Sequence, residues 1–179
     1  EVLELLVRRG HWCERPLDDL LSEVRESFAR ERALLADMAR AADPEGMPAV
    51  QERLAAAHPA PHEYYDAFRQ TWDACHALSA AMDLVTWPDA PVRYVPIPEA
   101  TRQSARSLYY LFYRSPAPLE WPAVHDYVVT PIDGLDRDAA ERHLRAWNDS
   151  VIKLNHVVHH GALGHHVQNW YAAHAPLRI

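Results

Sequence analysis

Six of the twelve histidines lie between residues 156 and 174: His156, His159, His160, His165, His166 and His174. Two adjacent pairs, His159-His160 and His165-His166, are separated by Gly-Ala-Leu-Gly. Neutral imidazole is the commonest biological metal ligand, whereas crowded imidazolium groups repel one another. A shared cation is therefore one way to stabilise such a cluster. A solvated polar turn between two helices is the other reading of the same residues.

Helical geometry narrows the metal reading. In an unbroken α-helix His156 and His160 share a face at the i, i+4 spacing that lets two imidazoles reach one ion. His159 and His166 also share a face, but about 10.5 Å separates them along the axis, too far for a common ion. His159 meets one of the second pair only if Gly161 and Gly164 open or tighten the backbone between them, which glycine permits at little steric cost.

Other residues offer weaker chemistry. Asp73 and His76 stand at i and i+3 and resemble half of a carboxylate-bridged site, but no second Glu-x-x-His accompanies them, so a surface pair is the simpler account. His58 and His62 flank a proline loop. Tyr109, Tyr110 and Tyr113 carry phenols able to stabilise an oxyanion, or are core residues with hydrogen-bonded tips. Cys13 lacks the context of a nucleophile and Cys75 falls on an apolar helix face, so both read as structural. The six tryptophans read as packing anchors.

These side chains need helices to position them. Leu17, Leu20, Leu21, Val24, Phe28, Leu35 and Met38 recur at helical spacing after Pro16, with Glu and Arg on the other face, and Asp43 to Pro48 is turn chemistry. A short helix follows from Pro48 to about Ala57. Tyr64, Phe68, Trp72, Cys75 and Met82 describe another amphipathic helix. Pro88, Pro91, Pro96 and Pro98 forbid regular helix, while Val92, Tyr94, Val95 and Ile97 favour an extended, edge-strand segment near 92–98. Thr101 to Tyr113 fits helix or strand, and Pro116, Pro118 and Pro122 mark a loop. Asp136 or Asp138 opens the clearest helix. Ala140, Leu144, Trp147, Val151, Leu154 and Val158 then keep one face buried over about six turns.

Residues 157–168, V-V-H-H-G-A-L-G-H-H-V-Q, resemble the H-E-x-x-P-G-H-H-x-Q signature of the bacterial domain of unknown function 885 family, large and mainly helical chains grouped with zinc metallopeptidases of the H-E-x-x-H type. His159 falls on the first histidine, Gly164 on the glycine, His165 and His166 on the second pair, and Gln168 on the glutamine. The extended 92–98 segment and the aromatic run ending at Tyr113 also resemble parts that precede the signature. The resemblance implies zinc held by His159 and one or both of His165 and His166, with a third, acidic ligand C-terminal to the signature. It also implies water attack on a peptide or small amide carbonyl with the metal as Lewis acid. Two positions depart: His160 stands in place of the glutamate and Leu163 in place of the proline. Loss of that glutamate removes the usual proton shuttle. His160 is then a base, a ligand, or the mark of a non-catalytic relative that serves as a binding module; alternatively His160 and His156 build a different metal site for redox or oxygen chemistry.

The expected fold is mainly α: one helical, zincin-like metallopeptidase lobe over residues 1–179, incomplete because the chain opens at Glu1 and closes at Ile179 soon after the histidine helix. The missing C-terminal remainder, or a companion chain, is the partner this implies. With 49% apolar residues the chain can bury a sizeable core. Its 18 Lys and Arg against 25 Asp and Glu, net −7, are dispersed, which speaks against nucleic acid as partner. The sequence has no membrane-length apolar run, signal pattern or disulfide framework, so the expected setting is cytoplasmic.

Overall fold

A computed structural model describes residues 2–87, 89–102 and 121–175 of the chain. The run ending at Tyr113, with Tyr109 and Tyr110, lies outside the described residues. Among those described, the protein is mainly helical with a small two-stranded sheet. The chain gathers into two compact units, 1–52 and 53–179.

The first unit begins with α1 (Val2–Leu5), which runs into a π turn at Leu6–Gly10, and is dominated by α2 (Leu17–Ala42). Pro16, at φ −56°, opens α2, and Asp18 and Asp19 occupy its first turn, where carboxylates complement the positive end of the helix dipole. Asp43 ends it, and Gly46, at φ +78°, supplies the left-handed residue of the turn into α3 (Met47–Ala56). The apolar periodicity of α2 forms the helix without burying it. Val24, Phe28 and Met38 are 64%, 63% and 60% exposed, and Ala39 is the buried residue of this helix.

The second unit carries the core. Helix α4 (Tyr64–Ala81) buries Tyr64, Phe68 and Trp72 along one face, the aromatic stripe its spacing predicts. At about 2 to 3 kcal/mol for each fully buried large side chain, this stripe is a main source of the unit's cohesion. Strand β1 (Val92–Pro96) forms as expected and pairs in parallel with β2 (His125–Val129), which the loop reading of the proline-rich stretch before it did not anticipate. Alternation places His125, Tyr127 and Val129 inward, while outward-facing Asp126 accepts two hydrogen bonds from Arg93 at 2.7 and 3.0 Å. The register sets Tyr94 opposite Tyr127.

Helix α5 (Arg137–Ala146) starts where its capping residue predicts: the Asp136 carboxylate accepts from the Ala139 N–H at 2.7 Å. The six-turn helix expected from there is broken after Trp147. Asn148 donates to the Arg145 carbonyl at 3.0 Å and accepts from the Val151 N–H at 3.1 Å, ending one helix and capping the next. The next is one turn, α6 (Asp149–Val151), running into a long π-helix, Ile152–Ala162. Because of the break Leu154 is 60% exposed instead of lying on the buried face. Helix α7 (His165–His174) follows the Leu163-Gly164 junction.

Candidate functional site

The π-helix decides where the histidines point. Its i→i+5 hydrogen bonding widens each turn, a geometry that is rare and concentrated at functional sites. His156 and His160 both face β2 from it. The hydroxyl of Tyr127, a fully buried residue, lies 2.6 Å from His156 Nδ1 and 3.2 Å from His160 Nδ1. The His156 ring is itself clamped by Trp147, stacked at 4.2 Å between centroids and 7° between planes.

Two glycines allow the next step. A Cβ on Gly161 would stand 3.0 Å from the Trp72 ring and 3.2 Å from the Tyr94 hydroxyl, so the bare backbone lets α4 and β1 close onto the π-helix. At Gly164 a Cβ would fall 1.6 Å from the His159 carbonyl oxygen, which excludes every side chain there. The reversal brings α7 back against the end of the π-helix. The His159 and His165 rings then meet at 4.9 Å between centroids, His159 and His160 at 4.8 Å, and His160 and His165 at 5.8 Å.

Three imidazoles bound through nitrogen at about 2 Å to one tetrahedral ion hold their ring centroids about 5 Å apart. The observed triangle has this size. In the present rotamers the ring nitrogens do not converge: among the described residues no group of three or more His, Cys, Asp or Glu is arranged to hold a metal ion. His165 Nδ1–H donates to Gln168 Oε1 at 3.0 Å, an orientation that leaves the lone pair on Nε2.

His166 is not brought into this triangle. One residue beyond His165 on α7, it is carried about 100° around the helix and is fully buried, its Nε2–H donating to the Ala90 carbonyl at 2.5 Å. Its ring packs against Trp72, Trp121 and His125. His174 also stands apart, stacked on Trp170 with Nδ1–H donating to that residue's carbonyl. Asp73 accepts from Arg69, and His76 packs edge-on against Trp87, so these two work separately. The Cys75 thiol is pushed up by burial, away from reactive thiolate character, and both cysteines are free.

Burial also governs the imidazoles. It holds His156 down at about 3, helped by the charge of His160, and His160 at about 4, helped by His159 and His165. His125 is likewise lowered to about 4 by burial and then by His166. The inner members of the cluster are therefore neutral at physiological pH, the state in which imidazole binds metals. Tyr127 and Trp147 were missed as site residues. The alternation His125, Tyr127, Val129 was the signal available for Tyr127, and the seam reading of Trp147 as a core anchor concealed its stacking role.

Comparison with known proteins places the fold only. No family model matches the chain, and no curated protein does. A solved structure of a candidate lipoprotein of unknown function from Shewanella oneidensis is similar in fold, with a TM-score of 0.66 at 18% identity. The match covers 89% of this chain and 30% of that one, so the chain spans less than a third of that protein's length. Among the described residues no helix is long and apolar enough to cross a membrane.

Proposed function

We propose that this chain is the histidine-bearing lobe of a metal-dependent, hydrolase-like protein in which His159, His160 and His165 take a divalent ion, zinc foremost, and the substrate is a peptide or related amide. The observation that carries the reading is the ring triangle of 4.8, 4.9 and 5.8 Å across the glycine junction. The neutral state of the His160 imidazole and the Gln168 contact of His165 support it. The zincin-like architecture and the resemblance to the domain of unknown function 885 family belong to this same reading. An ion held there supplies Lewis acidity toward a carbonyl oxygen. In this arrangement His160 is a ligand, since its Nδ1 faces Tyr127 and its ring faces His159 and His165. His166 has no part in it.

Calorimetric titration of the 179-residue chain with zinc, and elemental analysis after dialysis, test the reading. One tightly held ion per chain is expected in the wild type, and none in His159→Ala or His165→Ala. An unchanged metal content in both variants would end the proposal. A second reading, a relative that binds without catalysis, is favoured by the imidazole standing at the glutamate position. His160→Glu separates the two: an inactive wild type beside a variant that cleaves peptides indicates catalysis lost at this residue.

A further inference from the structure

Between the end of β2 and α5 the second unit forms a cavity of about 270 Å³, whose walls include Thr130, Pro131, Leu135, Arg142, His143 and Trp147. None of these belongs to the histidine triangle. Two of them carry donors that the fold leaves unused. Thr130 is 5% exposed, and its Oγ1 has no hydrogen-bond partner. A buried hydroxyl left unpaired costs stability, and native folds keep few of them, so such a group points to a function or to an absent partner. Arg142 brings a permanent positive charge, and among the described residues no carboxylate pairs with its guanidinium. The acidic groups near it in sequence are engaged elsewhere: Asp133 accepts from Tyr65, Asp136 caps α5, and Glu141 contacts His58.

The remaining walls define the ligand. Pro131 and Leu135 are apolar, and His143, whose Nε2 lies 3.0 Å from the Tyr64 hydroxyl, stacks on Trp147 at 5.2 Å and 17°. A bound anion therefore meets one guanidinium and one hydroxyl at its charged end, and hydrocarbon and aromatic rings along its body. The planar fork of a guanidinium matches a carboxylate through two parallel N–H donors. A phosphate, with more charge and more acceptor oxygens, asks for more cations than this wall supplies. The volume lies just under the usual range of about 300 to 1,000 Å³ for small-molecule sites, which restricts the ligand to a small body. We infer that this cavity binds a small aliphatic carboxylate, free or as the C-terminus of a peptide, with Arg142 engaging the carboxylate and Thr130 donating its unused O–H to it. The site stands independently of the metal proposed above.

Titration of the 179-residue chain with isobutyrate, in the presence of a chelator and followed at the Trp147 indole N–H resonance, tests the site. Saturable binding is expected, with the neutral isobutyramide held about tenfold more weakly or worse. Arg142→Gln should weaken isobutyrate by about tenfold or more. Thr130→Val removes the unpaired hydroxyl at nearly constant shape and carries a signature that a structural role lacks. The ligand-free variant should melt at the same temperature as the wild type or higher, while isobutyrate affinity falls about tenfold. A short peptide ending in valine, as free acid and as amide, separates the two sources. An acid bound more tightly than isobutyrate assigns the site to peptide C-termini, and a weaker one assigns it to free acids. No saturation by any carboxylate, equal binding of isobutyramide, or tighter binding of inorganic phosphate overturns the inference. So does an Arg142→Gln chain of unchanged affinity, or a Thr130→Val chain that melts earlier, since the hydroxyl would then have a partner in the empty protein.

Discussion

Gly164 carries the most stringent demand of any residue near the histidines. The His159 carbonyl occupies the space a Cβ would need, with its oxygen 1.6 Å from where that carbon would stand. Gly164→Ala must therefore displace the end of the π-helix or the start of α7, and either motion separates His159 from His165. The expected cost is about 3 kcal/mol or more, measured by chemical denaturation, and the zinc binding proposed above should be lost with it. Gly134 provides the contrast. It sits at φ +77° with nothing within 4 Å of its would-be Cβ, so Gly134→Ala meets only the left-handed penalty of about 1 to 2 kcal/mol. Equal destabilisation by the two substitutions would refute the steric account of the junction.

The helical elements were legible because their signals are local. The Asp136 cap, the stripe Tyr64, Phe68 and Trp72, and the proline that opens α2 each act within a few residues, and each element stands where those residues put it. The break at Asn148 was hidden by a competing signal, since Leu144, Trp147, Val151 and Leu154 keep a seam-like spacing straight through it. The amide of one buried asparagine, bonded in both directions, outweighs that periodicity. The π geometry had no sequence signature, because i→i+5 and i→i+4 bonding accept the same residues. For that reason His159 and His165 were expected to approach only through a distorted backbone, and the separate fate of His166 was out of reach. Asn148→Ala removes both bonds and should cost about 1 kcal/mol, with a longer and straighter α5 visible in amide exchange. Asn148→Asp keeps the acceptor for Val151 and should recover most of the loss. If Asn148→Ala is as stable as the wild type, the side chain does not set the break.

Taken as one cooperative structure, residues 53–179 bury three histidines, His125, His156 and His166, at 7%, 1% and 0% exposure. A core that admits imidazole admits it uncharged, and the consequence reaches the stability of the whole unit. His125 titrates near 4 and His156 near 3 in the folded chain, against about 6.5 unfolded. Between pH 6.5 and 4 the unfolded chain binds protons that the folded chain refuses. Stability is therefore fully present above pH 6.5 and drains away as the pH falls, by up to about 1.4 kcal/mol per pH unit for each such histidine. Aspartate and glutamate titrate mostly below pH 5, so the interval from 7 to 5 isolates the histidine contribution. Urea denaturation in the presence of a chelator should show a midpoint that drops steeply over that interval and stays nearly level from 7 to 8.5. Replacing His125 with glutamine should flatten the slope without removing it, because His156 still resists its proton. A midpoint independent of pH from 7 to 5 would mean that these imidazoles charge as readily inside the fold as outside it, and the tight packing of Trp147 on His156 would then have to yield to water.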